Sequence, residues 1–155
     1  MKRYFLYLLL LVCFNFSCSR SNDKQFIINT EQLVNKKWKF SASSAKLPNG
    51  VITDNYFNLP VYQQDDFYLF MPDFTFTYND NGDRIPGSIG FINYEGTWSL
   101  SNGDAYINLT VTVQGNPLST FPPQKILELS TTTMRWEWTD NSTGIIYWNT
   151  YTVIP

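Results

Sequence analysis

Apolar and polar residues alternate along most of this chain with a period of two. In the clearest run, Ala105, Ile107, Leu109, Val111 and Val113 take one phase while Tyr106, Asn108, Thr110 and Thr112 take the other. Successive side chains on a strand point to opposite faces, so the pattern gives one dry face and one wet face. The period recurs elsewhere. Trp38, Phe40 and Ala42 alternate with Lys37, Lys39, Ser41 and Ser43; Phe74, Phe76 and Tyr78 alternate with Thr75 and Thr77. Tyr94, Gly96, Trp98 and Leu100 alternate with Glu95, Thr97 and Ser99. Leu127 and Leu129 alternate with Glu128 and Ser130, and Met134, Trp136 and Trp138 with Arg135 and Glu137. Phe67 to Met71 and Ile145 to Ile154 read as further strands, and Val51 to Leu59 as a short one carrying Tyr56 and Phe57.

Short turns rich in Gly and Asn separate these runs, at Pro48-Asn49-Gly50, Asn79 to Asp83, Ser101 to Asp104 and Asp140 to Gly144. Gly115-Asn116-Pro117 and Pro122-Pro123 bracket a loop. Strands spaced about 8 to 12 residues apart and joined by such turns predict an all-β fold of antiparallel neighbours. No stretch is suited to a helical crossover, which excludes a parallel sheet. Strands this β-prone are safest with no free edge. The expected architecture is therefore an up-and-down antiparallel β-barrel of about eight strands. The one helical piece is the short segment Thr30 to Asn35, with Thr30 as its cap.

Composition narrows the chemistry. The 155 residues include no histidine, which removes Ser-His and Cys-His catalysis and histidine metal sites. A formal net charge of -2 gives no basic excess for a phosphate backbone, so nucleic acid is not an expected partner. No G-x-S-x-G motif accompanies the many serines. Asp65-Asp66 is an adjacent acidic pair whose members should face opposite ways, as loop residues before Phe67. Asp80-Asn81-Gly82-Asp83 lacks the full spacing of a calcium loop and reads as a turn. The expectation is a protein that is not an enzyme and carries neither cofactor nor metal.

The first residues follow a different rule. Lys2 and Arg3 precede an uncharged apolar run, Tyr4 to Phe14, which is shorter than the roughly 20 residues of a membrane-spanning helix. That is the pattern of a secretory signal. The run ends at Ser17-Cys18, followed by the polar stretch Ser19 to Lys24. A small residue before a cysteine at this place resembles the lipobox of bacterial lipoproteins. The resemblance implies cleavage after Ser17 and lipidation of Cys18, with palmitate-like acyl chains holding the protein at a membrane. Cys13 would leave with the signal, so the mature chain would have one cysteine, at its first residue, and no internal disulfide. The mature charge would be about -4, from nine basic and thirteen acidic residues. The expected organisation is a signal peptide over 1–17, a polar tether over 18–29 and a barrel over 30–155. The expected location is the outer membrane of a Gram-negative envelope, on the periplasmic face, since the acidic run that marks some surface lipoproteins is missing after Cys18.

Within the body, Leu33 to Phe40 resembles the Gly-x-Trp opening strand of lipocalin-like domains, with Lys36 at the glycine position and Trp38 at the tryptophan. Gly96-Thr97-Trp98-Ser99-Leu100, then a Gly-bearing turn and the strand Ala105 to Val113, is similar to a hairpin common in lipocalin-like domains of bacterial lipoproteins. The order of the last three strands is similar too. The resemblance covers about Thr30 to Pro155 and implies an eight-stranded barrel whose mouth often takes one small apolar ligand.

Trp38, Tyr94, Trp98, Trp136 and Trp138 fall on inward phases and are the candidate ligand-lining residues. The same bulky side chains could instead fill the barrel, which at eight strands is barely wider than its contents. Two functions stay open. One is a lipid-anchored module that binds a small hydrophobic molecule. The other is a filled barrel that docks on another envelope protein through the loops Leu47 to Asp66 and Asp83 to Asn93. A void of about 300 Å³ or more, reached from one end, separates the first from the second.

Overall fold

The alternating runs form strands that close on themselves. The computed structural model describes residues 28–79, 93–103, 105–113 and 116–155. Cys18, the leader, the tether up to residue 27, the turn Asp80 to Asp83 and most of the Asp83 to Asn93 loop lie outside the described residues. The strands are β1 (Lys37–Lys46), β2 (Ile52–Asp54), β3 (Phe67–Phe70), β4 (Thr75–Asn79) and β5 (Tyr94–Ser101). They continue with β6 (Tyr106–Val113), β7 (Asn116–Thr120), β8 (Gln124–Leu129), β9 (Thr133–Asp140) and β10 (Ile145–Ile154). Eight of them run in the order β1-β3-β4-β5-β6-β8-β9-β10, and β10 pairs back onto β1, closing an antiparallel barrel. Two short strands sit outside this ring. β2 pairs the far end of β1, and β7 pairs the far end of β6. The segment read as a loop between Gly115 and Pro123 thus contains strand β7.

One end is plugged. Helix α1 (Thr30–Leu33) is capped by Asn29, whose side chain accepts from Glu31 N at 3.0 Å; Thr30, expected as the cap, is the first helical residue. Leu33 is fully buried, and its carbonyl accepts from Trp38 Nε1 at 2.8 Å. Asn35 turns the chain with a positive φ of 59° and donates its N–H to Phe70 O. Beneath this plug pack Phe70, Phe76, Trp98, Ile107 and Met134, all nearly inaccessible. This half of the barrel is solid, as the diameter of eight strands dictates.

Two bulges change which residues face inward. In β1 the register shifts between Phe40 and Ala42. The added residue flips the phase, so Ala42, expected inside, is exposed and Ser43 is buried. The second shift lies between Ile126 and Glu128, opposite β9. Ile126 and Leu129 are therefore buried, while Leu127, expected to share a face with Leu129, is only half-buried. Strict alternation does not reveal a bulge, because the extra residue carries no distinctive chemistry.

Gly96 has a packing role. A Cβ there would collide with the Thr110 carbonyl oxygen and lie 2.7 Å from the Phe76 ring. The bare backbone lets that ring cover the sheet, where any side chain would push two strands apart. Gly96→Ala is expected to cost about 3 kcal/mol, near the top of the overpacking range. Urea unfolding measures it, and a loss below about 1 kcal/mol would show that the wall yields freely.

Candidate functional site

Among the described residues, the opposite end of the barrel is open. Beyond Phe40 the strands carry aromatic and uncharged polar side chains in place of aliphatic ones, and they surround a cavity of about 620 Å³. Tyr68 and Tyr78 line its β3–β4 side; Trp138, Tyr147, Asn149 and Tyr151 line its β9–β10 side. Ser43 reaches it because of the β1 bulge, and its hydroxyl donates to Asn149 Oδ1 at 2.8 Å. A slot of about 170 Å³ adjoins it and shares Tyr68, Phe121, Trp138, Asn149 and Tyr151 with it. The slot exists because the wall parts there. β6 pairs β8 only at Tyr106↔Lys125 and Ile107↔Gln124, and farther along β6 turns to β7 instead. Phe121 and Pro122 stand in the gap, with Phe121 N donating to Leu109 O at 3.0 Å.

A lip borders the mouth. Between β2 and helix α2 (Val61–Gln64) the chain is pinned to β1, with the N–H groups of Asn55 and Tyr56 both donating to Ser43 O. Tyr56 Oη donates to Gln64 O at 3.2 Å, and Gln64 Nε2 donates to Leu59 O at 2.8 Å. These bonds hold Asn55, Leu59 and Gln63 at the cavity edge.

The inner wall holds a cluster of tyrosines around one acid. Tyr68 and Tyr78 face each other across β3 and β4 with ring centroids 4.8 Å apart. Tyr151 lies 5.7 Å from Tyr68, edge to face, and 4.6 Å from Trp136. Tyr78 Oη donates a short hydrogen bond to Asp66 Oδ2. Asp66, expected as a loop residue, does precede β3, but it continues the inward phase of Tyr68 and Phe70 and is only 5% exposed. Burial pushes the Tyr68 phenol far up, with the charge of Asp66 adding to it. Burial also raises Tyr78, helped by Tyr68 and by Asp66, and raises Tyr151 well above the usual phenol range. All three phenols stay neutral in ordinary buffers and act as hydrogen-bonding groups, not as anions.

The five side chains expected to line a ligand site separate by depth. Trp38 and Trp98 are packed in the closed half, each with its indole N–H on a backbone carbonyl: Leu33 O at 2.8 Å and Met71 O at 3.1 Å. Trp136 is buried at mid-depth and borders the slot. Trp138 borders both slot and mouth and stacks on Tyr147 at 4.4 Å with an interplanar angle of 14°. Tyr94 sits at the open end, partly exposed, 5.9 Å from Tyr78. Glu137 lies on the outer face, where its Oε2 accepts from Trp148 Nε1 at 2.7 Å.

The residues that sequence reasoning passed over are Asp66, Tyr68, Tyr78, Tyr147 and Tyr151. One signal could have found them: the inward phase of β10, read as Tyr147-Asn149-Tyr151, is polar-aromatic where the inward phase of β6 is aliphatic. A strand whose dry face turns polar at one end marks the mouth of a barrel.

Comparison of the sequence with protein-family models and with curated proteins gave no match. The arrangement of side chains is therefore the guide to what the mouth accepts.

Proposed function

We propose that this chain is a lipid-anchored, non-enzymatic protein of the bacterial cell envelope whose lipocalin-like barrel holds one small apolar or aromatic molecule in its mouth. The observation that carries the reading is the open cavity of about 620 Å³. It falls within the roughly 300–1,000 Å³ of small-molecule sites and has their makeup, a greasy wall with a few fixed polar groups. Ser43, Asn55, Gln63 and Asn149 supply those groups. The anchor rests on the positive start, the apolar run and Ser17-Cys18. Ile28 is buried beside the plug, so a tether from Cys18 would join the closed end and leave the mouth facing away from the membrane. The periplasmic face of the outer membrane is the proposed location.

Exposed apolar side chains on the lip favour the second reading, docking on an envelope protein. Phe57 is 81% exposed and Val61 67%. Native mass spectrometry of the protein extracted from membranes tests both readings. The expected species begins at Cys18, carries acyl chains and holds a small-molecule adduct that is released on unfolding. A bare chain that still begins at Met1 would overturn the anchor. A chain with no adduct but a protein companion would replace binding by docking.

A further inference from the structure

The mouth has a sign as well as a shape. Seven of the twelve described residues that line it are aromatic, and none of the twelve is Lys or Arg. The face of an aromatic ring is the negative part of its quadrupole. Trp138 and Tyr147 stack on each other at the rim, Tyr68 and Tyr78 stand across the cavity from them, and Tyr151, deeper on β10, closes the tyrosine wall 5.7 Å from Tyr68. The carboxylate of Asp66 lies behind this wall, bonded by Tyr78, and its charge acts on Tyr68, Tyr78 and Tyr151 alike. In a cup of low dielectric these contributions add, and they favour a positive guest.

We propose that the mouth selects an organic cation, an ammonium group carried on a compact apolar body, over neutral or acidic molecules of the same shape. The ammonium would rest against the Tyr68–Tyr78–Tyr151 wall, in front of Asp66. The apolar body would lie along Trp138 and Tyr147. A carboxylate guest, such as a fatty acid, meets the same field with the wrong sign. This inference rests on the mouth being a ligand site, which is the proposal above.

The test uses three probes of similar bulk: phenyltrimethylammonium, its neutral isostere tert-butylbenzene, and benzoate. Binding is read by indole fluorescence and by the side-chain amide resonances of Asn55 and Asn149, which line the mouth. Phenyltrimethylammonium is expected to bind about tenfold tighter than tert-butylbenzene, the gain of a partly desolvated cation–π site. Asp66→Asn keeps an acceptor for Tyr78 and should remove most of that preference while leaving tert-butylbenzene bound. Should this variant misfold, Tyr78→Leu, at a partly buried position of the wall that meets the ammonium, should lower the cation's affinity more than that of the neutral probe. Equal or weaker binding of the cation, or tighter binding of benzoate, overturns the charge selectivity and leaves the ligand site standing. If none of the three probes binds and the extracted protein carries no adduct, both proposals fall.

Discussion

Raising the pH from 10 to 11 is expected to cost this fold about 3 kcal/mol, as three buried phenols each withdraw about 1 kcal/mol of stability over that step. The groups are Tyr68, Tyr78 and Tyr151, whose phenols are all pushed up from the ordinary value of 10.0, first by burial. In the unfolded chain each releases its proton near pH 10. In the barrel each holds it to higher pH. The folded state therefore binds more protons than the unfolded state throughout that window, and stability falls as pH rises. Below about pH 9 both states are protonated and the full stability is present. Urea unfolding at pH 9, 10 and 11 measures the slope. Tyr151→Phe keeps the ring against Trp136 and Phe40, and should reduce the loss over that step by about 1 kcal/mol. A loss of about 1 kcal/mol or less between pH 10 and 11 in the wild-type chain would mean that the cluster ionises while folded.

The tyrosine cluster also shows where sequence reasoning reached its limit. Period two was enough to place β5, β6 and β9 and to predict closure, because a strand with one dry face must find a core and eight such strands find it by wrapping. The same rule put Trp98 and Trp136 inside. It could not set their height along the barrel axis, which depends on register. Register comes from pairings such as Trp38↔Val153 and Trp38↔Tyr68, between residues far apart in sequence. Height decides function here. At the level of Trp38 and Trp98 the barrel is a packed solid; two or three residues higher, at Tyr78, Trp138 and Tyr147, it is a cup. The bulge at Ser41 was equally hidden, and it brings Ser43 into the mouth in place of Ala42. Asp66 was passed over because a carboxylate next to another carboxylate reads as solvent-facing loop, although its phase relative to Tyr68 and Phe70 already pointed inward.

Depth can be tested by comparing two tryptophans. Trp98→Ala is expected to destabilise the barrel by about 3–5 kcal/mol, the cost of an aromatic truncation in a closed core. Trp98 is 3% exposed, lies 6.0 Å from Phe70 and 5.1 Å from Phe74 by ring centroid, and donates its indole N–H to Met71 O. Truncation opens a void between these rings, which a barrel wall held by ladder hydrogen bonds cannot close, and takes from the Met71 carbonyl one of its two donors, the Phe74 N–H remaining. Yet Trp98 does not line the mouth, so the protein that remains folded should bind phenyltrimethylammonium as the wild type does. Trp138→Ala reverses the pattern. Its half-buried ring touches Tyr147 at the cavity edge, so removing it should cost little stability and most of the binding. Urea unfolding and probe titration on both variants give four numbers. A loss of stability under about 1 kcal/mol for Trp98→Ala, or equal effects of the two substitutions on binding, would mean that the barrel is not divided into a solid base and an open cup.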